Sequence, residues 1–137
     1  MAQYIKLEVV TPEKAVVDED AQIVVAPGTL GEFGVLRGHT TFLTTLKVGS
    51  IRYTDANGTD RFVFVSGGFA EALPAKVTVL AESAERRKKI DKARAEAAME
   101  RAEKRLAEDR SQQDIDFIRA KAALERAIQR IQLAGTI

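Results

Sequence analysis

The sequence predicts a two-domain α+β protein: an all-β N-terminal sandwich followed by a C-terminal antiparallel α-helical hairpin. Three observations predict it. Eight of the nine glycines lie at or before Gly68 and all three prolines at or before Pro74, so the first part is densely punctuated into short elements. Between these breaks apolar and polar residues alternate with period two, the pattern of half-buried strands. From residue 75 to residue 134 there is no glycine and no proline, and most of that stretch reads as helix.

The elements follow in chain order. "YIKLEVV" sets Ile5, Leu7 and Val9 on one face and Lys6 and Glu8 on the other. "AQIVVAP", "FLTTLKV", "SIRYTD", "RFVFVSG" and "KVTVLAE" are further short runs rich in Val, Ile, Phe and Thr. Asn57-Gly58 stands between "SIRYTD" and "RFVFVS"; both residues tolerate positive φ, so a tight hairpin turn is expected there. Close-spaced strands joined by such turns build an antiparallel sandwich or barrel over 1–84.

Residues 85–137 form the hairpin. One helix is expected over 87–108 and a second over 112–133. "SQQD" separates them, with Ser111 and Asp114 at capping-box spacing. A linker this short between helices of similar length folds them back on each other. Ile90, Ala93, Ala97, Ala98, Ala102 and Leu106 line one side of the first helix. Ala120, Ala123, Leu124, Ala127, Ile128 and Ile131 do so on the second. At about 25 cal/mol per Å² an alanine contact stabilises little. High helix propensity holds each helix, while the packing between them is weak. That is the profile of an element able to change its packing partner.

Composition excludes several functions. There is no cysteine, hence no disulfide, iron–sulfur or zinc–thiolate site. The start lacks a basic segment followed by an apolar core, so no secretory signal is expected. No apolar run approaches the ~18 residues of a membrane span, so membrane association goes through a partner. Residues 1–81 carry 7 Lys/Arg against 9 Asp/Glu; residues 82–137 carry 14 against 11. Dense charge of both signs marks a solvated helical surface and fits a nucleic-acid arm poorly.

The glycine-rich "APGTLGEFGVLRGHTT" lacks a Gly-Lys-Ser/Thr ending and runs on into a strand, so it is a series of turns and not a phosphate loop. His39, the only histidine, has no nucleophile or second ligand at a usable spacing. No cluster has metal-ligand spacing, and no enzyme activity is expected. On the helices, Asp91 and Arg94 stand three apart, Arg101 seven beyond Arg94, and Arg126 and Arg130 four apart. In a hairpin these arginines converge to suit phosphate oxygens, with the carboxylate placed for an adenine amino group. On spacing alone, solvated arginines in local pairs, such as Arg126 with Glu125, account for the pattern more simply.

"GTLGEFGVLRGHTTFLTTLKVGSIRY", "FVSGGFAEALPAKVTVLAESAER" and "IDKARAEAAMERAEKRL" together resemble the epsilon subunits of the bacterial and chloroplast type rotary ATP synthases. The similarity runs from about Leu7 to Leu133 and includes Ser66-Gly67-Gly68-Phe69, read as a turn, with Glu71. The resemblance implies a non-catalytic subunit of the central stalk. Its sandwich docks on the gamma subunit and the c-ring, with Glu32 and His39 in the segment that faces this rotor junction. His39-Thr40-Thr41 replaces the family's usual His-Ala-Pro.

The resemblance also implies a hairpin with two arrangements. Folded, it packs beside the sandwich; extended, it reaches the alpha/beta catalytic head and blocks ATP hydrolysis. ATP-binding relatives carry Ile-Asp-x-x-Arg-Ala, present here as Ile90, Asp91, Arg94 and Ala95, with Glu85, Arg101, Arg126 and Arg130 at similar positions. ATP is then a regulatory ligand, and no cofactor is required. The implied location is the cytoplasmic side of the bacterial inner membrane, as a peripheral protein. The rival readings are a stand-alone nucleotide sensor and a nucleic-acid-binding hairpin.

Overall fold

The structure is a computed structural model, and it describes residues 4–108 and 115–135. The chain divides into two compact units, Met1–Arg87 and Lys88–Ile137.

Unit 1 holds seven strands: β1 (Ile5–Val10), β2 (Ala15–Gly28), β3 (Gly31–Val35), β4 (Phe42–Asp55), β5 (Asp60–Leu73), β6 (Lys76–Ala81) and β7 (Ala84–Arg86). They pair in the order β1-β6-β5-β4-β2-β3, and β1 pairs with β2 as well, which closes the path. Closure removes most of the open edges that would invite pairing with another chain. The β1–β6 pair is parallel; the other pairs are antiparallel. The expected alternation holds on β1, where Ile5, Leu7 and Val9 are fully buried and Lys6 and Glu8 form ion pairs with Asp18 and Lys76 at 2.8 and 3.2 Å. Tyr53, Ile51, Val63, Val77 and Val79 complete the core.

"FLTTLKV" and "SIRYTD" turn out to be the two ends of one 14-residue strand, β4, and Ser66–Phe69 is no turn but the middle of β5. Gly67 and Gly68 have φ of 104° and 127° inside that strand. They mark where β5 changes partner: Val63–Val65 pair with β7, and Gly68–Leu73 with β6. A Cβ on Gly68 would stand 2.0 Å from the Leu80 carbonyl oxygen, so only glycine lets the strands approach so closely.

The β4–β5 turn also takes another form. Gly58 alone has positive φ (83°). The Asp55 carboxylate accepts the N–H groups of Asn57 and Thr59, both at 2.9 Å, and Arg61 Nε at 3.1 Å. Those bonds hold Asn57 at negative φ and leave the left-handed position to the glycine. The Thr59 N–H, followed by Arg61 and the Asn57 N–H, holds the Asp55 carboxyl below its usual pKa.

Unit 2 contains α1 (Lys92–Glu108) and α2 (Ile115–Ala134), which pack against each other. The first helix is expected from residue 87. Arg87–Lys89 instead form a 3-10 turn, and α1 starts only after Asp91. Asp91 is the N-cap: its Oδ1 accepts the Arg94 N–H at 3.0 Å and its carbonyl accepts the Ala95 N–H at 3.0 Å. The buried stripe of α1 is rotated from the expected one. Ala95 and Ala102 are buried, whereas Ala93 and Ala97 are exposed. On α2 the expected stripe holds, with Ala120 and Ala127 buried and Leu133 added. Ser111, Asp114 and the expected helix start at residue 112 lie outside the described residues.

Candidate functional site

The eight residues expected to hold nucleotide fall in both units. Glu85 is the central residue of β7, in unit 1. In unit 2, Ile90 and Asp91 precede α1, Arg94, Ala95 and Arg101 lie on α1, and Arg126 and Arg130 on α2. Arg94 and Arg101 are exposed; Arg126 and Arg130 are partly covered. Arg94, Arg101 and Arg126 form no ion pair with a described residue. Their guanidinium groups stand on helices that also carry Glu96, Glu100, Glu103 and Glu125, a surface of mixed charge.

Two of these residues do something the spacing did not reveal. Asp91 uses one carboxylate oxygen on the backbone at the start of α1, so it caps the helix and does not bridge to the Arg94 guanidinium. Ala95 is buried, so its methyl group packs, and its N–H is taken by the Asp91 carbonyl. The signal for the first was present in the sequence, since aspartate directly before a helical run is a strong N-cap.

The segment expected to face a rotor is built on β3 and the loop after it. Glu32 is exposed on β3, opposite Pro27. The loop closes through a turn at residues 36–39: the His39 N–H donates to the Leu36 carbonyl at 3.1 Å, and Gly38 takes φ of 88°. The Gly38 N–H adds a bond to the Pro74 carbonyl at 2.6 Å. His39 stands edge-on to Phe42 at 5.1 Å between ring centroids, and Phe42 edge-on to Phe33 at 5.1 Å. Three rings thus tie the His39 loop to the strand that carries Glu32. His39 Nδ1 lies 2.8 Å from the Thr40 carbonyl, which fixes the ring without any proline at residue 41.

Sequence reasoning missed the leucines of this segment. Leu30 is fully exposed, and Leu36 and Leu43 are more than half exposed. All three lie in the stretch of chain around Glu32 and His39. A second apolar feature of unit 1 is a groove of about 450 Å³ lined by Val10, Pro12, Phe69 and Leu80, among others. Phe69 and Leu80 are each about half exposed on it. Among the described residues no group of His, Asp or Glu could hold a metal ion, and no helix is long and apolar enough to cross a membrane.

Comparison with known proteins places these features in one family. Residues 4–87 match the β-sandwich domain of the ATP synthase delta/epsilon chain, and residues 88–135 match its long α-helix domain. The ATP synthase epsilon chain of Desulforapulum autotrophicum is 68% identical over 108 residues, covering 79% of this chain and 80% of that one. That of Desulfosudis oleivorans is 63% identical over 106 residues, with 77% and 80% covered. Among solved structures, a chain of the Euglena gracilis mitochondrial ATP synthase shares the fold at a TM-score of 0.79 and 24% identity, over 94% of this chain and 79% of that chain. A chain of the Tetrahymena thermophila mitochondrial ATP synthase central stalk and c-ring does so at 0.60 and 12%, over 96% and 97%. With both domain models of one family matched in order and identity this high to its members, the chain belongs to the epsilon-chain family of the ATP synthases.

Proposed function

We propose that the chain is a non-catalytic subunit of the central stalk of a rotary ATP synthase, and that its helical hairpin regulates ATP hydrolysis in response to ATP. The sandwich docks on the gamma subunit and the c-ring, at the bacterial inner membrane on its cytoplasmic side. The exposed leucines around Glu32 and His39, and the apolar groove beside Phe69, are the surfaces that support docking. Co-purification with gamma or the c-ring would exclude the alternative of a stand-alone nucleotide sensor.

One observation carries the regulatory half of the proposal. The buried side chains of unit 2, among the described residues, are Ala95, Ala102, Ala120, Ala127 and Leu133. The fully buried positions are mostly alanine, and the larger Met99, Leu106, Phe117, Leu124, Ile128 and Ile131 are only partly covered. The pair is therefore held less firmly than a closed core, while α1 and α2 are rich in strong helix formers. Such a pair keeps its helices when it changes partner, and ATP biases it by binding one arrangement better than the other. Folded with ATP bound, it leaves hydrolysis free. Extended, it offers Arg119, Lys121 and Arg126 to the acidic surface of the alpha/beta head, together with Arg110, which lies outside the described residues.

Calorimetric titration of the full chain with ATP, with and without magnesium, tests the nucleotide site. Saturable binding is expected, lost in an Arg126→Ala/Arg130→Ala variant. No binding up to millimolar ATP would return the arginines to solvated surface or to contacts with the head. Charge reversal at Arg119, Lys121 and Arg126 should relieve inhibition of hydrolysis in the reconstituted complex; unchanged inhibition sinks the contact with the head.

A further inference from the structure

The last strand of unit 1 is only three residues long, and its backbone pairs on one side with β5 alone. So short an edge strand has little to keep it in a sheet. Its two ends are held by side chains. Upstream, Ser66 Oγ accepts the Ser83 N–H at 2.9 Å, and the Ser66 N–H donates to the Ser83 carbonyl at 3.1 Å. Downstream, Arg86 reaches out of β7 to two other strands. Its Nε donates to the Val16 carbonyl on β2 at 3.1 Å. Its Nη1 donates to the Tyr53 hydroxyl on β4 at 3.1 Å and lies 3.6 Å from Glu19 Oε1 on β2. The Tyr53 hydroxyl donates in turn to the same Glu19 oxygen. The next residue, Arg87, sets its guanidinium over the Phe62 ring at 4.6 Å from the centroid. Unit 1 ends at Arg87.

We infer that Arg86 is a clamp that decides whether residues 84–87 belong to the sheet or to the tether of the hairpin. With the clamp closed, the chain leaves unit 1 at Arg87, and only residues 88–91 separate it from the first turn of α1. With the clamp open, the strand frays back to the Ser66–Ser83 lock. The tether then gains four residues, about 13 Å of reach at full extension. The planar fork of arginine is what lets one side chain satisfy a carbonyl, a hydroxyl and a carboxylate at once; lysine cannot replace it. The clamp thereby sets where the hairpin pivots and how far it can extend. This functional half rests on the regulatory reading given above.

Hydrogen exchange read by mass spectrometry on the full chain tests the clamp itself. Arg86→Ala and Arg86→Lys should each speed exchange at residues 84–87 at least tenfold, while peptides from β4 and the 69–73 end of β5 stay protected. Glu19→Gln should give a smaller increase at the same residues. Unchanged protection of 84–87 in both Arg86 variants overturns the proposal, as does loss of protection throughout the sandwich. Inhibition of hydrolysis is then compared in the reconstituted complex between the full chain, a chain ending at residue 87, and Arg86→Lys. Where truncation relieves inhibition, Arg86→Lys should shift it at least twofold, and no shift overturns the pivot role. Where truncation has no effect, the regulatory reading fails, and the exchange result alone decides the clamp.

Discussion

The two units of this chain are stabilised in opposite ways. The sandwich core keeps Tyr53, Ile51, Ile5 and Leu7 wholly from water. The helical unit buries four alanines and Leu133 among its described residues. A fully buried large side chain contributes about 1.5–3 kcal/mol, a single methyl group less than about 1. The sandwich therefore resists rearrangement through its core, and the helices persist through backbone propensity. The division follows from where the large apolar residues fall in the chain. Its consequence is that the helical unit has little to lose when its packing changes.

The contrast should show most strongly in the sandwich core. Leu7→Ala should cost about 2–5 kcal/mol, read as the shift of a urea unfolding transition. A loss under about 1 kcal/mol would mean the core is looser than its burial implies. Gly68→Ala should cost at least about 2 kcal/mol, because the new Cβ collides with the Leu80 carbonyl and the backbone stays at positive φ. Alanine at Gly31, where a Cβ would meet nothing, isolates the strain from the collision.

Alkaline pH gives a sharper test. Burial first, and then the hydrogen bond to Glu19, push the Tyr53 hydroxyl up to about 12. The folded state thus holds its proton more tightly than the unfolded chain, whose tyrosine titrates near ~10. The stabilisation is complete below that pH and is lost as pH rises from ~10 to ~12, by up to about 2 kcal/mol. Unfolding free energies across this range should fall more steeply for the wild type than for Tyr53→Phe. Parallel curves would show that the hydroxyl is wetter than the structure has it.

The smallest effects belong to the helical unit. Ala127→Gly should cost about 1 kcal/mol, mostly propensity, against several for a core residue of the sandwich. Asp91→Ala should also cost about 1 kcal/mol through the lost cap, whereas Asp91→Asn keeps the cap and removes the charge. Helicity by circular dichroism, set beside ATP titration, separates the two roles. If Asp91→Asn retains both helix and ATP binding, Asp91 is a cap and nothing more.

Much of the fold was legible because its signals are local. Alternation on β1, the lack of Gly and Pro from residue 75 to residue 134 and the buried stripe of α2 need only neighbouring residues. The start of α1 lies several residues beyond the expected one, although Asp91 advertises a cap. The charged run Arg87-Lys88-Lys89 suits a helix on propensity, and it does coil, but as a 3-10 turn that stops before the cap. Ser66–Phe69 reads as a turn because Gly-Gly usually makes one. Here it bends a strand whose partners change at that point, β7 on one side and β6 on the other. The candidate nucleotide residues were legible as a motif, but not the capping bond that Asp91 makes or the burial of Ala95.

What the sequence by itself determined is therefore a strand-built first part and a helical second part, the division into a packed unit and an alanine-rich one, and the family. Periodicity, punctuation and propensity act over a few residues, so the chain carries them openly. The tertiary structure alone decided which distant groups meet. Arg86 finds the Val16 carbonyl 70 residues away and the Tyr53 hydroxyl 33 away. Gly68 is required by a carbonyl on another strand. No local pattern encodes such contacts, because they exist only once the closed sheet has brought β2, β4, β5 and β7 together.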